Sequence, residues 1–352
     1  MADFLSFLSD NAVVAGLNDA YSSFSARREA LGLSNPGTVE NVAREVQKDV
    51  LLSNFMFTGL RADLTKVFGM SPMFRVSHAF TMGSVQGSLP PYAFSSMFGT
   101  PKVFLQGNIG SDGALAAVAN YRWNSSLVTK TNTQIMAGGS QGMVQIDNDY
   151  TGSDFSASIK ALNPSFLEGG ITGIFIGSYL QSLTPSLALG LEAMWQRQSL
   201  SVPPETAVSY CAKYKGDDWI ASAQIQAQGA INASYWRKLS DKVEAGVDMN
   251  LQFAPGPSGM MGDIRKEGTT SIGTKYEFRA STFRAQIDSA GKLSCLLEKR
   301  IAMPISLTFA GEIDQPKQQA KIGLAVSFEM ASEELMEQQE AGEMPSGPLP
   351  PF

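Results

Sequence analysis

From Trp219 onward the chain alternates. Trp219, Ala221, Ala223, Ile225 and Ala227 hold one parity, and Ser222, Gln224, Gln226 and Gln228 the other. The run from Val243 to Phe253 repeats this. Val243, Ala245, Val247, Met249, Leu251 and Phe253 interleave with Glu244, Gly246, Asp248, Asn250 and Gln252. Successive side chains of a strand point to opposite faces, so each run has one apolar and one polar face. Further strand candidates lie at 73–83, 102–109, 114–123, 126–137, 154–163, 171–181, 185–197, 206–215, 268–278, 281–288, 292–299, 303–312 and 319–329. Turn signals separate them, among them Ser111-Asp112-Gly113, Gly216-Asp217, Ser240-Asp241 and Ala290-Gly291. Weaker candidates bring the total to roughly 19, within the range of membrane barrels. The predicted fold is a large all-β barrel with its apolar parity turned outward to lipid.

The ends read differently. Residues 1–53 form a helical extension. Val14, Leu17, Tyr21 and Phe24 mark one helix between about Asp10 and Leu31. Val39, Val42, Val46 and Val50 mark a second over about 38–52, with Thr38 as its N-cap. Residues 54–330 are the barrel. Residues 331–352 carry five Glu, no Lys or Arg, and a Pro-rich end, the composition of a flexible tail.

Charge and composition narrow the function classes. The formal charge is −6, but the tail holds most of it; the rest has 27 Lys and Arg against 28 Asp and Glu. That balance does not suggest nucleic-acid binding. No apolar run is long enough for a transmembrane helix, and no secretory signal is evident. Cys211 and Cys295 both fall in predicted strands, which argues against a disulfide framework or a zinc site. His78, the single histidine, reads as a buried or lumen-facing structural residue. No phosphate loop, dinucleotide fingerprint or metal cluster is present, so neither an enzyme nor a cofactor is expected.

Several runs are more specific. Leu33-Ser-Asn-Pro-Gly-Thr38 leads into the valine-striped helix. Asp154-Phe-Ser-Ala-Ser-Ile-Lys-Ala-Leu-Asn-Pro-Ser165 continues to Gly169-Gly-Ile-Thr-Gly-Ile-Phe175. Ser281-Thr-Phe-Arg-Ala-Gln-Ile-Asp288 precedes Gly291-Lys-Leu-Ser-Cys-Leu-Leu-Glu-Lys-Arg300. Together these resemble the pore-forming subunit family of the mitochondrial outer-membrane protein translocase (the TOM complex), and its fungal members most. Lys321, Gly323, Val326 and Phe328 fit that family's membrane sorting signal: polar, glycine, hydrophobic, hydrophobic. The resemblance implies the mitochondrial porin fold, a 19-stranded barrel with first and last strands parallel and the second helix inside the pore. It implies conduction of unfolded precursors across the mitochondrial outer membrane, with both termini toward the intermembrane space. The implied partners are precursors with basic presequences, a central single-span receptor subunit, small single-span subunits and at least one further copy of the pore. A metabolite or anion channel of the same fold is the nearest alternative. A soluble β-rich carrier is the next, disfavoured because so many strands enclose more volume than the apolar parity fills.

Function is expected on the polar parity. Arg122, Lys130, Lys160, Glu192, Gln224, Gln226, Glu244, Asp248, Lys275, Glu277, Arg284, Asp288, Glu298, Glu312 and Lys321 are placed in the lumen by alternation. Trp219, Ile225, Val247, Leu251, Phe283, Ile287, Leu307, Leu324 and Val326 are placed toward lipid. Glu192, Glu244, Asp248, Glu277, Asp288, Glu298 and Glu312 are expected to form acidic patches for Arg-rich presequences. The alternative reading pairs them with Lys242, Lys275, Arg279, Arg284 and Arg300, as simple hydration of the wall.

Overall fold

The computed structural model describes residue 28 and residues 31–70, 72–83, 90–136, 138, 142–165, 170–227, 229–255, 264–302 and 304–331. Of the first predicted helix only Arg28 and Leu31 fall among these residues, and of the tail only Ala331; the rest of both lies outside them. The first strands are β1 (Gly59–Met70), β2 (Met73–Met82), β3 (Tyr92–Gly99), β4 (Val103–Gly110), β5 (Leu115–Arg122), β6 (Leu127–Ile135) and β7 (Gly142–Thr151). The next are β8 (Phe155–Ser165), β9 (Thr172–Ser182), β10 (Leu187–Arg197), β11 (Glu205–Lys215), β12 (Trp219–Ile225) and β13 (Ile231–Ser240). The last are β14 (Val243–Pro255), β15 (Ile264–Glu277), β16 (Ser281–Asp288), β17 (Lys292–Ala302), β18 (Ile305–Asp314) and β19 (Gln319–Ala331). Each pairs antiparallel with its sequence neighbour, and β1 pairs parallel with β19. The parallel seam is forced by the odd number. Strands that alternate in direction leave the first and nineteenth pointing the same way. Closure leaves no unpaired edge, which a strand structure in hydrocarbon requires.

Cross-strand partners share a face, so the register assigns every side chain to one wall. Leu324 opposes Phe309 and Leu60; Val247 opposes Tyr235 and Ile272. These belong to the convex face, where Ile322 and Ile287 stand 76% and 59% exposed. Aromatic pairs gather near both rims of that face: Tyr121–Trp123, Phe155–Tyr179 and Tyr214–Trp219 near one, Phe80–Tyr92 and Phe175–Trp195 near the other. An apolar band between two aromatic girdles is the outer surface of a membrane barrel. His78 departs from expectation. It pairs with Leu64 and Phe94 on this outer face, half-buried, with Nδ1 2.8 Å from the Tyr92 hydroxyl. Cys211 is buried on the inner face, and Cys295 is exposed on the outer.

Candidate functional site in the barrel lumen

The segment before β1 lies against the inner wall, and it begins to define the lumen. The predicted second helix is present but irregular. Val39–Asn41 is a 3-10 turn, Glu45–Val50 is π-helical, and the chain is extended at Leu51. Thr38 makes no side-chain cap bond. Spacing explains the departure from an α-helix. At 3.6 residues per turn each four-residue step drifts by about 40°. A tight first turn between Val39 and Val42 and wider winding afterwards keep all four valines on the wall. Val39, Val42, Val46 and Val50 are all buried, as are Leu51 and Leu52.

The segment's contacts advance strand by strand around the wall. Asn35 Nδ2 donates to the Gly152 and Phe155 carbonyls, and Ser156 donates to Gly37 O. Lys160 Nζ on β8 lies 2.5 Å from Glu40 Oε2. Val39 and Val42 pack with Leu180, Ala188 and Cys211 of β9 to β11. Lys213 Nζ on β11 lies 3.0 Å from Glu45 Oε1, and Gln47 Nε2 donates to Asp248 on β14 at 3.4 Å. Arg284 Nε on β16 donates to Asp49 O at 3.3 Å, with its guanidinium 4.6 Å from the Phe55 ring. Leu52 N donates to Gln286 Oε1 at 2.7 Å, and Leu52 packs on Leu296 and Ala310. These contacts run from β8 to β18, and Phe57, against Gly323, carries the path on to β19.

Two glycines admit this close approach. Gly246 and Gly273 oppose each other on β14 and β15. A methyl group on Gly246 would sit 3.1 Å from Val46 Cγ1, and one on Gly273 2.8 Å from Leu51 Cδ2. Burial of an aliphatic side chain is worth about 1.5–3 kcal/mol. An ion pair as exposed as Glu40–Lys160 adds about 1 kcal/mol or less. The apolar seam therefore holds the segment, and the charges set its position. Burial works to raise the Glu40 carboxyl pKa, but the hydrogen bond and charge of Lys160, with Lys48 and Lys130, outweigh it and hold it below the usual value. Asp154, in the turn before β8, is likewise lowered: burial is overcome by Arg28, Gln181 and Ser153.

The predicted lumen residues share the face carrying Gly246. Asn120, Lys130, Asp147 and Lys160 form one register row across β5 to β8, with Arg122 one step along from Asn120 and Lys130 Nζ 3.0 Å from Asp149 Oδ2. Glu192 of β10 stands between Ser178 and Ser209; Gln224 of β12 stands between Cys211 and Asn232. Gln226 lies just past β12, where its N–H donates to Ala230 O at 2.8 Å. The seven expected carboxylates do not form one free acidic patch. Glu277 lies 2.6 Å from Lys275, which is 4.0 Å from Glu244. Glu298 pairs with Arg284 at 3.4 Å. Glu312 is bracketed by Lys292 at 2.9 Å and Lys321 at 3.5 Å. Four of the seven thus have cation partners: Glu244 and Glu312 directly across from Lys275 and Lys321, Glu298 diagonal to Arg284, and Glu277 two residues along its own strand from Lys275. Among the described residues, Glu192, Asp248 and Asp288 form no ion pair; Asp288 instead accepts from Gln286 Nε2 at 2.7 Å.

On β19, Lys321 and Gly323 face the lumen, while Val326 and Phe328 face lipid. A side chain on Gly323 would press on the Phe57 carbonyl and ring. On the wall from β1 to β7 the sequence reading named only the charged Arg122 and Lys130 as lining residues; the uncharged Ser77, Ser95, Asn108, Asn132 and Gln134 also face inward. The alternation of Gln106 and Asn108 with Leu105, Gly107 and Ile109 in β4, and of Asn132 and Gln134 with Thr131, Thr133 and Ile135 in β6, was the available signal.

Residues 35–323 match the eukaryotic porin family model. The chain is 57% identical to the mitochondrial import receptor subunit tom40 of Neurospora crassa, over 96% of both chains. It is 44% identical to the mitochondrial import receptor subunit TOM40 of Saccharomyces cerevisiae, over 97% of this chain and 91% of that one. Among solved structures, a mutant of the Rh. blastica porin aligns with 68% of this chain and 92% of its own, at 11% identity and a TM-score of 0.42. The chain belongs to the eukaryotic porin family and, within it, to the mitochondrial import receptor subunits of the Neurospora and Saccharomyces type.

Proposed function

We propose that this chain is the protein-conducting pore of the mitochondrial outer-membrane translocase, passing unfolded precursors through its lumen. The carrying observation is the asymmetric lumen. One internal segment is seamed to the wall from β8 to β19, so it lines the barrel without being part of it. Kinship with import receptor subunits over nearly the full length favours this reading over a metabolite or anion channel.

Basic presequences are the proposed cargo, and Glu192, Asp248 and Asp288 the carboxylates left to attract them. In a water-filled lumen each contact is weak, about 1 kcal/mol or less, and salt screens it. Weak attraction suits transit, since tight binding would block release. The remaining proposals follow the family: both termini toward the intermembrane space, a single-span receptor and small single-span subunits against the outer face, and two or more pores per complex. The test is a planar-bilayer recording of the reconstituted full chain with a basic presequence peptide. Brief, voltage-dependent blocks that shorten as salt is raised are expected. A pore that conducts ions but gives no peptide block at any salt contradicts the reading.

A further inference from the structure

One register row of the inner wall carries no charge. Thr65 opposes Ser77, Ser77 opposes Ser95, and Ser95 opposes Asn108. Asn108 opposes Ala116, Ala116 opposes Gln134, and Gln134 opposes Met143. The row crosses β1 to β7 without a gap. Gln106, Asn132 and Gln145 extend the amide surface one step along the strands. The segment contacts described above run from β8 to β19, and among the described residues none covers this row. Its side chains are half-buried or exposed. Charge on the inner face of these strands flanks the row: Asp63 and Arg75 stand one step along from Thr65 and Ser77, with Arg61 paired to Asp63 at 2.9 Å, and Arg122, Lys130, Asp147 and Asp149 lie farther along β5 to β7.

We infer that this row is a binding lane for the main chain of an extended polypeptide, independent of its side chains; the inference rests on the protein-conducting reading above. A hydroxyl or carboxamide both donates and accepts. A peptide unit offers one donor and one acceptor. A wall of such groups pairs with any extended chain, whatever its sequence, where a charged wall selects by sign. From Thr65 to Gln134, with Ala116 the one apolar step between them, five strand spacings of about 4.8 Å give a lane of about 24 Å, the length of roughly seven extended residues. Thr65 Oγ1 donates to Ser77 Oγ at 3.2 Å, Gln106 Nε2 to Asn108 Oδ1 at 3.5 Å and Gln145 Nε2 to Asp147 Oδ2 at 2.7 Å. The remaining donors and acceptors of Ser95, Asn108, Asn132 and Gln134 are available to a chain in the lumen. Each contact replaces one with water, so the lane holds a chain briefly.

The test uses the full chain in a planar bilayer and two uncharged peptides of the same side chains, one with alternate backbone nitrogens methylated. The unmodified peptide should block about fivefold longer, the effect of one net hydrogen bond. In Ser77→Ala, Ser95→Ala, Asn108→Ala, Gln134→Ala the difference should vanish, with the basic presequence block retained. The milder Ser95→Ala, Asn108→Ala pair should reduce it, and the Asn108→Gln, Gln134→Asn exchange should restore it. Equal blocks by both peptides in the unaltered channel, or a difference that survives in both alanine variants, overturns the lane. Presequence block reports separately on protein conduction: its loss along with the rest removes both readings.

Discussion

At the scale of single residues, the account turns on Gly246 and Gly273. Their missing side chains let Val46, Val50 and Leu51 touch the wall. A Gly246→Leu, Gly273→Leu variant should lift the segment, since overfilling a packed seam costs about 1–3 kcal/mol. Thiol labelling of a Val50→Cys reporter should then quicken about tenfold or more; an unchanged rate would mean that something other than this seam anchors the segment. The charged contacts give a pH signature. Glu40 and Asp154 both titrate below their ordinary values of 4.5 and 3.8 when engaged with Lys160 and Arg28. A depressed carboxylate contributes attachment above its ordinary value and loses it as pH falls through the lowered one. Segment labelling should therefore be flat from pH 7 to about 5 and rise below about 4.5. Glu40→Gln should raise labelling at neutral pH and weaken that dependence, and a rise already complete at pH 6 would point to other groups.

At the scale of elements, β19 separates folding from targeting. Gly323 abuts Phe57, whereas Phe328 points to lipid. Gly323→Leu should impair refolding of the purified chain into detergent as well as assembly in mitochondria. Phe328→Gln should spare detergent refolding and lower mitochondrial assembly; normal assembly in both variants removes the proposed sorting role of Lys321 to Phe328. Legibility also varied by element. Strands with clean alternation, such as β12 and β14, were readable directly. β1, β3, β7 and β13 were not among the strong candidates, because their faces are mixed. Lys66 and Asn148 face outward, Trp236 faces inward, and β3 carries Ser95 inside and Ser96 outside. The valine stripe announced the segment and its buried side. Its 3-10 and π winding was not read, because the three- and four-residue spacing of the valines also suits an α-helix until all four are known to meet one wall. Lys275 and Arg284 were legible in the sequence as possible partners, and Lys275–Glu277 lies within one strand; which cation meets Glu244, Glu298 and Glu312 was not legible, because register between strands is a tertiary fact and alternation within one strand gives only the face.

At the scale of the whole molecule, the barrel has an outer face and a lumen, and the lumen has two unlike walls. From β8 to β19 it is lined by the segment and by paired charges; from β1 to β7 it presents hydroxyls and amides flanked by the Arg61–Asp63 pair, Arg75 and the Lys130–Asp149 cluster. A chain in transit should meet both, and should not meet the lipid face. The most direct measurement is site-specific photo-crosslinking to a precursor arrested by a folded trailing domain. The photoreactive residue is placed in turn at Asn132 and Gln224, which face the lumen, and at Ile146 and Val247, which face lipid. The account predicts precursor adducts from Asn132 and Gln224 and none from Ile146 or Val247. Adducts from the lipid-facing pair, or none from the lumen-facing pair while the precursor remains arrested, would contradict it.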